Sequence, residues 1–146
     1  MICDEVMYDV AAIRLFPVGV LNFGAPPEIL NKQVSSAFIT GDINAGIVPF
    51  SIEDGSLKEN PDNTVAGDFY KVLLSCEIND FSGTVFDAFK AYQKTKHDVL
   101  AYSSIGEVML IRSENSGYKV THSSKEGITT LEFEIINVSG IQFVTD

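Results

Sequence analysis

Tryptophan is absent from this chain of 146 residues, and cysteine and histidine occur twice each. Cys3 and Cys76 show no CxxC or Cys/His spacing, so a zinc site is not expected and two free thiols are. His97 and His122 are likewise not at ligand spacing. Neither GxxxxGK[ST] nor GxGxxG occurs, which removes the usual phosphate-cradling loops, and no GxSxG elbow is present. There is no basic leader and no apolar run near the ~18 residues of a spanning helix, so a cytoplasmic protein without a membrane segment is expected. Basic residues are scarce, ten against twenty acids for a net charge of −10. That balance disfavours phosphate backbones and anionic lipid, so nucleic acid and membrane are not expected partners.

What is present is the material of a folded domain. Ten Phe, five Tyr and a hydrophobic share of 45% argue against general disorder. The length suits one domain, residues 1–146, that buries roughly 70% of its unfolded surface without a stabilising metal or disulfide. The acidic excess is uneven. Residues 1–69 hold ten acids and three bases, and residues 70–146 hold ten acids and seven bases.

Residues 97–144 contain successive short apolar segments divided by Gly-bearing turns. Val99 to Tyr102 and Val108 to Ile111 flank Ser103-Ser104-Ile105-Gly106 as a hairpin. Tyr118 to His122 forms a third strand, and residues 123–127 divide it from residues 128–135. In that last segment Leu131, Phe133 and Ile135 face one way and Glu132 and Glu134 the other. Earlier, residues 8–16 form one or two strands broken near Pro17, which suits a sheet edge. Val20 to Phe23 follows, Pro26-Pro27 is a firm break, and residues 34–40 resume strand character. Residues 69–78 are a strong strand.

Then the period changes. Val85, Phe86, Phe89 and Tyr92 form one stripe of a helix predicted at about 84–94, with Ser82 or Thr84 as N-cap, Asp87 in the first turn and lysines toward the end. The predicted fold is mainly β within the α+β class: an antiparallel β-sandwich or open barrel with one flanking helix. Residues 41–68 carry six acids, one lysine, four glycines and two prolines. They are predicted to be a long acidic loop, with residues 47–52 as a short strand and residues 57–65 disordered alone. Loops of this length are commonly functional or ordered by a partner.

Candidate chemistry is thin. His97 and Asp98 are neighbours on a strand and point to opposite faces, so Asp98 cannot readily orient the imidazole. His122 lies in a polar strand stretch. The loop acids Asp54, Glu59, Asp62 and Asp68 lack the EF-hand spacing. No catalytic residue, cofactor or metal is expected.

The succession of a strand, an aromatic-striped helix at residues 85–92, His97-Asp98-Val99-Leu100-Ala101-Tyr102, a Gly turn, Val108-Met109-Leu110-Ile111 and Gly117-Tyr118 resembles small structural proteins of tailed bacteriophages and prophages, particularly those of Bacteroides-like bacteria. The resemblance covers about residues 70–144 and is one of layout. It implies a non-enzymatic tail-type subunit that forms homo-oligomeric rings or tubes, alone or with other structural proteins, and that ends in a virion-like particle. It also implies a long loop that reaches a neighbouring subunit. In this chain that loop would be residues 41–68, with Ile47, Phe50, Ile52 and Leu57 as candidate interface residues. The alternative is a β-sandwich module that binds a small ligand or a protein through Tyr102, Tyr118 and Phe143. A third reading is a hydrolase with a site near His97 or His122.

Overall fold

The computed structural model describes residues 6–23, 33–35, 39–41, 46, 52–64, 67–78, 83–113, 117–137 and 140–145. The strands are β1 (Val6–Asp9), β2 (Ala12–Pro17), β3 (Leu21–Phe23), β4 (Gln33–Ser35), β5 (Ile39–Gly41), β6 (Asp54–Thr64), β7 (Gly67–Ile78), β8 (His97–Tyr102), β9 (Val108–Ile111), β10 (Gly117–Lys125), β11 (Ile128–Asn137) and β12 (Ile141–Thr145), with one helix, α1 (Gly83–Lys94), between β7 and β8. One five-stranded sheet runs β1-β6-β7-β11-β10 and is antiparallel throughout. The other runs β2-β8-β9-β12-β4 and is antiparallel except where β4 lies parallel to β12. No closed barrel forms among the described residues. The fold is a mainly β, sandwich-like α+β arrangement.

Alternation explains the core. Leu57 of β6, Val72, Leu74 and Cys76 of β7 and Leu131, Phe133 and Ile135 of β11 face inward, against Ile13, Leu15, Val99, Ala101, Met109 and Ile111 of the opposite sheet. The positions between them on β6, β7 and β11, among them Lys58, Lys71, Glu132 and Glu134, form the outer face. Lys71 and Glu134 approach there to 3.9 Å. The second sheet is buried on both faces. Phe16, Leu21, Leu100 and Leu110 make a second cluster on its outer side, next to the small β3–β5 ladder. That double burial is why β8 shows an unbroken apolar run where a half-buried strand would alternate.

The helix lies where its aromatic stripe predicts. Phe89 and Tyr92 are buried in the main core, Gln93 Nε2 donates to the Val120 carbonyl at 3.1 Å, and the Tyr118 hydroxyl donates to the Tyr92 carbonyl at 3.1 Å. Asp87 falls beyond the first turn, which holds no acid.

Three expectations need correction. The acidic loop predicted at 41–68 is in large part a strand: residues 54–64 form β6 and pair with β7 from Asp54↔Glu77 to Thr64↔Gly67. Of residues 57–65, expected to be disordered alone, 57–64 lie within that ladder, because Leu57 is sealed in the core and the pairing outweighs the turn-forming character of Asn60-Pro61-Asp62-Asn63, and residue 65 lies outside the described residues. The segment 123–127, expected as a divider, contributes only a two-residue turn. Glu126 and Gly127 both have positive φ, at 56° and 80°, the conformation that matches hairpin twist, so β10 runs on to Lys125. Residues 34–40, read as one strand, divide into β4 and β5 in different sheets. The short strand expected at 47–52 falls mostly outside the described residues, and Ile52 itself is not in a strand.

Candidate functional site

The expected interface residues separate. Leu57 has no exposed surface and is core, so it offers nothing to a partner. Ile52 is half-buried and packs against the same core. Ile47 and Phe50 lie outside the described residues.

The hydrolase candidates do not converge. His97 is buried, its Nδ1 lies 2.7 Å from the Thr95 carbonyl, and its ring meets Tyr92 edge-on at 5.5 Å. Burial lowers its pKa, partly offset by the Thr95 contact. Asp98 turns away and accepts the Ser113 N–H at 2.7 Å, while the Ser113 hydroxyl donates to the His97 carbonyl. Serine, histidine and aspartate are therefore neighbours, but Ser113 bonds to a backbone carbonyl and to a carboxylate through its N–H, with no Ser–His link of the kind nucleophile activation needs. His122 is exposed on β10 with its ring edge-on to Phe89 at 5.0 Å. No group of three or more His, Cys, Asp or Glu able to hold a metal occurs among the described residues.

The sandwich also contains polar residues at core-facing positions, which the sequence reading missed. Glu59 and Asn137 stand at the parity of Leu57 and Phe133. Glu59 Oε2 accepts the Ile141 N–H at 3.0 Å. Asn137 donates from Nδ2 to the Arg112 carbonyl at 2.8 Å and accepts the Gly140 N–H at 2.6 Å. Each ties the first sheet to backbone of the second at one end of the sandwich, where a buried peptide group needs a partner. The available signal was a polar residue closing an otherwise regular alternation.

Two surface features remain, one at each side of the Glu59–Ile141 link. On one side β6 and β7 outrun their neighbours. Among the described residues β1 pairs with β6 as far as Glu59, and β11 pairs with β7 from Tyr70. Three pairs, Asp62↔Phe69 to Thr64↔Gly67, continue past Pro61↔Tyr70 as a two-stranded arm beside which no third strand lies among the described residues. The other sheet edges are managed: β1 and β4 are short, β2 ends at Pro17, and α1 lies along β10. Such devices limit edge-to-edge pairing.

On the other side β12 separates from β9. Their pairing ends at Phe143↔Met109, although β12 continues to Thr145 against β4. The fork opens into a cleft of about 510 Å³ lined by Gln33, Glu107, Val108, Phe143, Val144 and Thr145. Phe143, one of the three residues named for the ligand-binding reading, lines it. Tyr118 does not join it, because its hydroxyl is committed to Tyr92 and pushed upward in pKa by burial. Tyr102 packs on the second core cluster.

No helix among the described residues is long and apolar enough to cross a membrane. No family model matches the chain, and no curated protein or solved structure matches it.

Proposed function

We propose that this protein is a non-enzymatic structural subunit that assembles with copies of itself, in the manner of the tail-type proteins its layout resembles. The observation that carries the reading is the β6–β7 arm. A hairpin extended past the described strands that flank it presents backbone with no third strand beside it among the described residues, and such elements commonly reach a neighbouring subunit. Pro61 at the base of the arm removes one backbone donor, which restrains indiscriminate strand addition and favours docking onto a defined surface. The buried His97, Asp98 and Ser113 serve the fold under this reading.

The test is the mass of the protein in solution with the arm intact and with the arm removed by replacing residues 62–69 with Asn-Gly, a pair suited to a two-residue hairpin turn between the register partners Pro61 and Tyr70. Assembly that requires the arm supports the reading. Equal association by both forms overturns it.

The alternative of a ligand-binding module draws on a separate observation, the cleft beside Phe143, and the two readings are compatible in one molecule.

A further inference from the structure

We propose that the fork between β9 and β12 is a binding site for an organic ammonium group, carried either by a small free amine or by a lysine side chain. The inference does not depend on the assembly reading, because the arm and the cleft lie on opposite sides of the Glu59–Ile141 contact in the strand register.

Shape comes first. The opening arises because the β9–β12 ladder stops at Met109↔Phe143, and its volume of about 510 Å³ lies within the ordinary range of small-molecule sites, roughly 300–1,000 Å³. Its lining has an apolar part, Val108, Phe143 and Val144, and a polar rim of Gln33, Glu107 and Thr145. That combination suits an alkyl chain ending in a polar head.

Charge then selects the head. Among the described residues that line the cleft Glu107 is the charged one, and none of them is a lysine or arginine. Phe143 is met edge-on by Tyr8, with ring centroids 5.3 Å apart at 76°. Tyr8 in turn feels both Glu59 and Glu107: burial raises its hydroxyl pKa first, and these two carboxylates raise it further. The region beside Glu107 therefore has negative potential next to an aromatic residue of the lining, which favours a cation. An anionic ligand would meet the same field as repulsion. An ammonium would satisfy Glu107 by a charge-assisted hydrogen bond while its alkyl stem covers Val108 and Phe143.

Glu107 can be altered without disturbing the turn that carries it. Its backbone N–H donates to Ser103 Oγ at 3.0 Å, its carbonyl accepts the Ser103 N–H at 3.0 Å, and its side chain is exposed. The experiment is an NMR titration of the full chain with n-butylammonium, n-butanol and butyrate, followed at the amides of Val108, Phe143 and Thr145. Butylammonium is expected to give saturable shifts at these amides, with butanol and butyrate binding at least about tenfold more weakly. Glu107→Gln is expected to weaken butylammonium by a similar factor, and Phe143→Leu to weaken it while leaving the selectivity for the cation. Equal binding of butanol, an unchanged affinity in Glu107→Gln, or no saturable shift with butylammonium overturns the assignment. Acetyl-lysine amide separates the sources: binding comparable to butylammonium points to a lysine of a partner polypeptide, much weaker binding points to a free amine, and either upholds the ammonium site.

Discussion

Glu59 on β6 accepts the backbone N–H of Ile141 on β12 at 3.0 Å, so an inward-facing carboxylate joins the two sheets close to where the arm begins. Glu59→Ala leaves that buried N–H without its acceptor and is expected to cost about 1–3 kcal/mol. Glu59→Gln keeps an acceptor and is expected to cost less. Urea unfolding curves of both variants check the order, and equal losses would show that the hydrogen bond is not what Glu59 contributes.

Asn137 makes the companion link with both ends of its amide. Asn137→Leu matches its size roughly but removes both bonds, leaving the Arg112 carbonyl and Gly140 N–H without these partners. A loss of about 2–4 kcal/mol is expected in the same assay.

Histidine 97 supplies a pH dependence. Burial lowers its folded pKa below the ordinary 6.5, so the folded state holds fewer protons than the unfolded chain. Its contribution is intact above the ordinary histidine value and is lost as pH falls through that value toward the depressed one. Stability measured at successive pH values should decline in that window, and His97→Gln should flatten the decline if the variant folds. A decline of the same size in the variant would assign it to other groups.

Cys76 is buried among the core strands, and burial pushes its thiol up to about 12. Neither access nor thiolate character favours reaction. Alkylation mapped by mass spectrometry should leave Cys76 unmodified in the native protein and label it after denaturation.

The turn between β10 and β11 can be improved. Glu126 adopts φ 56° and Gly127 φ 80°, positions that favour Asn-Gly over Glu-Gly. Glu126→Asn is expected to raise stability by about 0.5 kcal/mol, read as a higher urea midpoint with an unchanged slope.

Much of the sandwich was legible because β7, β9 and β11 carry regular apolar patterns, and α1 changes the period where Val85, Phe86, Phe89 and Tyr92 begin. The β6 strand was not. Only Leu57 gives it an apolar anchor, while Asn60-Pro61-Asp62-Asn63 is turn chemistry that becomes a strand through pairing with β7. The same long-range dependence hid the links from Glu59 and Asn137, since their partners at Ile141, Arg112 and Gly140 meet them only after the sheets pack. An interface role for Leu57 fails for the same reason: within a loop an isolated leucine looks available, whereas in β6 it completes the core. The cleft was foreshadowed by Phe143 alone, because it depends on where the β9–β12 ladder stops.

Light scattering across a wide concentration range, with negative-stain images of any large species, tests the central claim most directly. The intact chain should form a defined oligomer, ring or tube, and the form with residues 62–69 replaced by Asn-Gly, which keeps the Pro61↔Tyr70 register, should remain a folded monomer with an unchanged urea midpoint. A monomer at every concentration for the intact chain, or the same oligomer from both forms, would contradict assembly through the β6–β7 arm.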